Sequence, residues 1–456
     1  MSSFFGLNVA LTALQANQSA MNVTGHNIAN ANTEGYRRQA AIFLANIPFT
    51  AKMNSSTLSQ MGTGVIVSAI QRTQTDFLDQ QVRLETSMTG MWGARNESLQ
   101  QIEPMLSEPS DSGLSATLVK FWNSWRSLST SPEEPAARQS VVSAGAALSD
   151  QIRGLYGNIN GLQYDIDKRI VSKADEINSL TREIANINSQ TVKLPTGGFM
   201  PNDLLDKRDL LVEQLSKIVN IQAQGSGGNM IITLNGQVLV QGTRVLMVEA
   251  VDDGNGFTKL VWADDNTDIP MTSGELRGLT DARDTMLDGY LNTLDGIARS
   301  IVNQVNTSHL TGFDGNGNAA GAFFVPGTGA ADMRLDDTLR SDPMLVAASL
   351  TGASGDNQIA LAIANMKGLP IVGGQKVGDA YSAMVARIGS DAREASVHSE
   401  AHDYSLAQRT SQRESVVGVS MDEEMANMVK FQQAYNAAAR IFGVIDEMIS
   451  TIINAV

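Results

Sequence analysis

His398 and His402 stand four residues apart in "HSEAH", the spacing of two metal ligands on one helical turn. A zinc ion held there could activate water for hydrolysis. In the His-Glu-x-x-His pattern of zinc hydrolases, however, the glutamate directly follows the first histidine. Here Glu400 is two places on, which turns it away from the face the histidines share. His402 also continues a stripe through Tyr381, Ile388, Ala395 and Leu406, so packing explains it better than ligation. "DGNGNAAGAFFV" opens like a calcium loop, with Asp314, Asn316 and Asn318 at the first, third and fifth positions. It then places Ala319 and Val325 where a glycine and a bidentate glutamate are required. Plain Gly/Asn turn chemistry accounts for that segment. There are no cysteines, which removes disulfides, thiolate catalysis and cysteine metal sites. No catalytic residue, metal site or cofactor site is assigned.

The most specific polar stretch is of another kind. "GHNIANANTEGYRRQ", residues 25 to 39, follows an apolar periodic run and interrupts it with asparagines, a glycine and two arginines. These are helix-ending and turn-forming residues. Asn27, Asn30 and Asn32 carry amides suited to backbone groups left open at a helix end. Gly35 permits a turn and Tyr36 can anchor it.

The elements around this stretch decide its meaning. Phe4, Leu7, Leu11, Leu14, Gln18, Met21, Gly25 and Ile28 repeat at 3-4 spacing, a heptad-like seam on one helix. At the far end Met421, Met425, Met428, Gln432, Tyr435, Ala439 and Phe442 do the same, and Ile445, Ile449, Ile452 and Val456 extend the stripe. Ser420 and Glu423 have capping-box spacing at its start. Such helices are marginal alone in water, because their stability comes from packing the apolar face. Both ends are therefore built to pack, on each other or on neighbouring copies.

Between them, Leu148, Ile152, Leu155, Ile159, Leu162 and Ile166 alternate at 4-3 spacing. Ile170 shifts the phase before Ile177, Leu180, Ile184, Ile187, Thr191 and Leu194 resume it, as in a stutter. With no proline between Pro135 and Pro195, one helix of roughly 55 residues, about 80 Å, is expected. Further helices are expected over 202–219, 274–306 and 376–416. The period changes to that of strands near residue 221, where Asn235-Gly236 signals a hairpin.

The composition agrees. Hydrophobic residues make up 42% of the chain but aromatics only 5%, which favours helical bundles. A length of 456 residues implies several domains. The net charge of −15 argues against nucleic acid, whose phosphates require basic surface. No stretch has the run of apolar residues a membrane span needs, and no secretory signal is visible. The expected fold is mainly α with an inserted β-rich domain, nested so that the two terminal helices pair innermost in coiled-coil fashion. The expected division is an N-terminal inner helix over 1–36 and helical domain over 37–220. An outer β-rich domain over 221–350 follows, the 274–306 helix being unassigned within it. More helical domain covers 351–417, and a C-terminal inner helix covers 418–456.

"NIANANTEGYRRQ" after an amphipathic helix, with "GVSMDEEMANMVKFQQAYNAAARIFGVIDEMISTIIN" at the other end, resembles the paired signatures of the rod, hook and hook-associated axial proteins of the bacterial flagellum. "NDLLDKRDLLVEQLSKIV" and "SGELRGLTDARDTMLDGYLNTLDGIARSIVNQVN" are similar to the members found at the hook–filament junction. The resemblance implies a structural, non-enzymatic subunit that stacks head to tail between hook and filament. Hook and distal-rod subunits are the nearest alternatives, and a zinc hydrolase using His398 and His402 a remote one. It implies partners: further copies of itself, the hook protein, hook-associated protein 3, a flagellar export chaperone and the type III export apparatus, with export lacking a cleaved signal. It implies an assembly interface at Leu7, Leu11, Leu14, Met21, Asn27, Ile28, Asn30, Asn32, Thr33, Gly35 and Tyr36. On the C-terminal helix the same interface would use Met425, Met428, Tyr435, Phe442, Ile445, Ile449 and Ile452. Met421, Met425 and Met428 would meet the chaperone. Contact with an acidic neighbour is the expected reason for Arg37 and Arg38.

Overall fold

A computed structural model describes residues 2–54, 57–193, 201–225 and 230–454. Leu194 and Val456 lie outside the described residues, as do the side chains of Phe4 and Ile452. The first element is helix α1 (Ser2–Ala29), and the last is α12 (Met421–Asn454), described below with the helices that precede it. These two terminal helices pack along each other. Gly6 and Gly25 of α1 lie against Ile445 and Met428, where an added Cβ would stand 3.0 and 3.7 Å away.

Residues 39–72 correct the expectation of helix in this region. They form β1 (Gln39–Ala45), β2 (Phe49–Asn54), β3 (Thr57–Met61) and β4 (Val65–Arg72). β1 and β4 pair antiparallel from Gln39↔Arg72 to Ala45↔Val65, and β2 pairs β3 beyond them. The result is one long two-stranded arm. Such a ribbon is marginal alone; this one is braced on α1, Gly64 coming so close to Thr12 that no larger residue fits.

The helical body follows: α2 (Asp76–Gln100), α3 (Glu103–Leu106), α4 (Leu114–Thr130), α5 (Pro135–Lys193) and α6 (Asn202–Ile218). α5 is the expected single long helix, 59 residues or roughly 88 Å at the usual rise. Its stripe from Leu148 to Ile166 is buried, and the successive four-residue steps Ile166–Ile170–Ala174 realise the stutter. Two buried polar residues of α5 serve the next layer: Asn178 bonds both the N–H and C=O of Val248, and Asn188 donates to the Gly242 carbonyl.

That layer comprises β5 (Ile221–Gln224), β6 (Ile231–Leu234), β7 (Gln237–Gln241) and β8 (Arg244–Val245) in one antiparallel sheet. β9 (Val248–Asp252) and β10 (Thr258–Trp262) form a separate hairpin. Asn235 and Gly236 both have positive φ at the β6–β7 turn, as an Asn-Gly hairpin requires. The chain then returns to helix through α7 (Glu275–Asp281), a π turn over Ala282–Leu287 and α8 (Asp288–His309). These pack on α2 and α5 within the helical core.

Residues 311–350, which carry the Gly-rich pattern, contain isolated bridges and only short helical pieces, including α9 (Asp337–Ser341). Phe323 and Phe324 are driven into the helical core beside Phe121 and Trp125, so this segment covers helices instead of extending the sheet. Last come α10 (Gln358–Asn365), α11 (Val377–Val417) and α12. α11 runs along α2 and delivers the chain back to α1. No described helix is long and apolar enough to cross a membrane.

Candidate functional site: the joint between the terminal helices and the helical body

The polar stretch after α1 is the point where three parts of the chain are tied together. Asn27 is buried at the end of α1 and uses its whole amide. Its Nδ2 donates to the Gln39 carbonyl at 2.8 Å and to Glu424 Oε2 at 2.9 Å. Its Oδ1 accepts from the Gln39 N–H at 3.0 Å and from the Tyr36 hydroxyl at 2.8 Å. Two donors and two acceptors are thus all satisfied, as a buried amide demands. Glu424, 2% exposed on α12, accepts Asn27 with one oxygen and Arg38 Nε with the other at 2.8 Å. Arg38 also reaches Glu423 at 3.1 Å, and its own N–H donates to the Val417 carbonyl.

Arg37 points the other way, into the helical body. Its guanidinium grips Asp79 of α2 with two 2.8 Å bonds, and its N–H donates to Asp206 of α6. Arg72, at the end of β4, bonds Asp206 at 2.9 Å and Asp209 at 2.8 Å. Asn202 and Asp203 of α6 bond the Gln39 side chain. Burial lowers the affinity of Arg37 for its proton, but the Asp79 hydrogen bond and the charge of Asp209 outweigh it and hold the pKa above the ordinary value. Burial pushes the Asp206 carboxyl up against the opposing pull of Arg72 and Arg37. Burial, with Asp203, Asp206 and Glu424 nearby, likewise raises the Tyr36 phenol. These groups form a charged clasp between the turn, α2, α6 and α12.

The turn itself is closed locally. Asn30 donates to the His26 carbonyl at 3.0 Å and accepts from Thr33 at 3.2 Å. His26 packs edge-on against Tyr36, with Nδ1 3.0 Å from its hydroxyl. Gly35 has φ +77°, and an added Cβ there would stand 3.3 Å from Leu210 of α6. Left-handed backbone and close approach coincide, which is why glycine is required.

The comparisons with known proteins divide the chain at this same joint. The model of the flagella basal body rod protein matches residues 7–37, and that of the flagellar basal body rod FlgEFG protein C-terminal matches 411–455. Residues 99–324 match the flagellar hook-associated protein FlgK helical domain. Flagellar hook-associated protein 1 of Bacillus subtilis is 31% identical, the match covering 99% of this chain and 98% of that protein. The chain belongs to the flagellar hook-associated protein 1 family. Its Escherichia coli relative of that name is 28% identical over 98% of this chain and 99% of its own. The structure of the flagellar hook junction protein FlgK from Burkholderia pseudomallei shares the fold with a TM-score of 0.67. It is 15% identical and covers 74% of this chain and all of that one.

As a hook-associated protein 1 family member, the chain seats its sequence-predicted residues unevenly. Asn27, Ile28, Asn30 and Tyr36 are buried or half-buried at the joint, while Asn32, Thr33 and Gly35 are exposed on the turn. On α12, Met428, Tyr435, Phe442, Ile445 and Ile449 are partly buried on the side facing α1. The seams are otherwise shifted by a residue or so from the expected phase. In α1 the most buried positions are Ala10, Ala16, Ala20, Val23, Thr24 and Asn27, with Leu7, Leu14 and Met21 half-buried at the flank and Leu11 exposed. In α12 they are Glu424 and Ala438 rather than Met421, Met425 and Ala439. Small residues at the line of contact let the helices approach closely, a choice that a search for large apolar residues overlooks. Arg37 and Arg38 need no acidic neighbour from another molecule, since Asp79 and Glu424 of the same chain take them. Glu424, Asp79, Asp206 and Asp209 were missing from the sequence-predicted site. The signal available for the last two was the "DKRD" of α6.

The histidine pair has other work. His398 stacks on Trp92 with ring centroids 4.2 Å apart, and His402 Nδ1 lies 2.7 Å from Glu85 Oε1. Both fasten α11 to α2. Among the described residues, no group of three or more His, Cys, Asp or Glu is arranged to hold a metal ion. Asp314 caps its own loop by accepting from the Asn316 and Asn318 amides.

Proposed function

We propose that the chain is a structural subunit of the hook–filament junction of the bacterial flagellum, polymerising through its terminal helices. The observation that carries this reading is the joint: the Asn27–Glu424–Arg38 contacts make the paired helices one unit, and Arg37 and Arg72 clamp that unit to the helical body. A subunit that passes load between hook and filament needs such a rigid connection. Membership of the hook-associated protein 1 family supports the same role.

The terminal unit also keeps apolar surface that a lone copy leaves open. Met425, Val429, Ile441, Val444 and Met448 of α12 are each more than half exposed, at 52–57%. On the arm, Leu44, Ile47 and Phe49 are 56%, 84% and 59% exposed. Exposed apolar surface of this extent marks an interaction site. Self-association along the axis would cover it, in head-to-tail contacts that build a tube instead of a closed dimer. The hook protein and hook-associated protein 3 are the proposed neighbours at the two ends. Before assembly, an export chaperone would shield Met421 and Met425, which are free in the folded chain, and Met428 once α1 has let go. Delivery would use the type III export apparatus without a cleaved signal.

Gene removal tests the role. Bare hooks with flagellin in the medium are expected; normal filaments would exclude it, and missing hooks would move the subunit to the hook or rod. Deleting residues 420–456 should leave a folded body unable to join the structure.

A further inference from the structure

The chain has 20 methionines and no cysteine, so thioethers are the oxidisable sulfur it carries. They are not spread evenly. Met91, Met230, Met333, Met366 and Met384 are buried in the body. Met61, Met421, Met425 and Met448 are 43%, 44%, 52% and 57% exposed, and among the described residues no other methionine is as open. All four lie on the terminal unit, one on the arm and three on α12. The tryptophans, which an oxidant could also attack, are sheltered. Trp122, Trp125 and Trp262 are buried, and Trp92 is stacked by His398.

The open thioethers sit in apolar patches. Met61 pairs across β2 and β3 with Phe49, itself 59% exposed. Met425 is one helical turn from Val429, and Met448 is one and two turns from Val444 and Ile441, all of them more than half exposed. At 3.6 residues per turn, these two α12 patches fall to either side of the line that Met428, Tyr435 and Phe442 direct at α1.

A thioether in such a position can take up one oxygen. Its sulfur lone pair attacks a peroxide, the S–O bond forms as the O–O bond breaks, and the second oxygen leaves as water with both protons. Sulfur loses two electrons and the peroxide gains them. The product is a sulfoxide, polar and chiral where the patch was apolar. It weakens any contact that depends on apolar cover, whereas the body keeps its methionines out of reach.

We propose that Met61, Met421, Met425 and Met448 are sites of oxidation by peroxides, and that their sulfoxides keep a subunit out of the assembly. This rests on the assembly role proposed above. Assembly covers the patches, so the free chain is sensitive and a subunit already in place is protected.

The test starts with the purified full-length chain and a short hydrogen peroxide treatment. Peptide mass mapping should find oxygen on these four roughly tenfold sooner than on Met333, Met366 and Met384. Untreated chain supplied to cells lacking the gene should restore filaments, and treated chain should restore about tenfold fewer. Methionine sulfoxide reductase with a dithiol, which returns the thioether and releases the oxygen as water, should bring the treated chain back to within about twofold of the untreated one. Thermal unfolding of the treated chain should be unchanged, and a large drop would place the damage in the body and overturn the inference. Met61→Gln/Met448→Gln sets a permanent polar group outside the chaperone contact proposed above and should reproduce the loss in cells. Equal oxidation of buried and exposed methionines would overturn the inference, as would a treated chain that assembles like the untreated one or a loss the reductase does not reverse. The junction role fails separately, if cells lacking the gene keep their filaments.

Discussion

Asn27 and Glu424, 397 positions apart in the chain, share a buried hydrogen bond of 2.9 Å that joins the end of α1 to the start of α12. One amide thereby closes the turn, mimics a strand partner for Gln39 and fixes the C-terminal helix. Asn27→Ala should cost about 2–4 kcal/mol of local stability, because it strands a carboxylate and two backbone groups out of water. Hydrogen exchange would show it as faster opening of both α1 and α12, with the body unaffected. Asn27→Asp should be worse, since it faces a second carboxylate to Glu424. Adding Glu424→Gln should recover part of that loss. Equal effects of Ala and Asp would mean the amide hydrogens do not matter.

Arg37 separates the terminal unit from the body energetically. Arg37→Ala leaves Asp79 buried without its two-bond partner, while Asp209 keeps Arg72, and costs about 3 kcal/mol. Arg37→Lys keeps the charge but cannot reproduce the two parallel bonds to Asp79 and should recover less than half of the loss. Denaturant titration of each variant gives the values. A full recovery by lysine would show that charge alone, and not the forked geometry, holds the joint.

Gly35 tests the turn. Gly35→Ala combines a positive φ with a contact to Leu210 and should cost about 2–3 kcal/mol. Gly236→Ala, at φ +84° with nothing within 4 Å, meets only the backbone penalty and should cost about 1 kcal/mol. Removing the Leu210 side chain in the Gly35→Ala background should ease the clash without restoring the backbone term. Thermal unfolding of the set distinguishes the two contributions, and equal costs at the two glycines would refute the role of Leu210.

The long helices were legible because their signal is local and repeated: α5 is written out from Leu148 to Ile187 in 3- and 4-residue steps. The joint was legible as a turn, from Gly35 and the asparagines, but not as a clasp. Its other half is Glu424, Asp79, Asp206 and Asp209, and ion pairs across hundreds of residues leave no periodic trace. The arm over 39–72 was missed for a related reason. Much of it is apolar on the outward side, so "AAIFLA" does not alternate as a half-buried strand would. The burial of α1 was only partly legible because its most buried positions include alanines rather than leucines. Phe323 and Phe324 could be seen as apolar, but only the fold shows them entering the helical core.

His309 supplies a pH dependence whose direction is set by its surroundings. The ring is buried among Trp125 and Phe323, with Nδ1 2.8 Å from the Gly321 carbonyl and Nε2 accepting from the Ala347 N–H at 2.9 Å. This arrangement requires the neutral ring with its proton on Nδ1; a second proton would turn Nε2 against another donor. Burial pushes the pKa down from 6.5 to about 4, the Gly321 bond opposing and nearby Arg138 assisting. The folded state therefore binds this proton less readily than the unfolded chain. The stabilisation is fully present above pH 6.5 and is lost progressively as the pH falls toward about 4. Over that window the contribution is roughly 3 kcal/mol. Unfolding free energy measured from pH 7 to pH 4 should fall accordingly, and His309→Asn should lower stability at pH 7 but flatten the slope. An unchanged slope in that variant would assign the acid sensitivity to other groups.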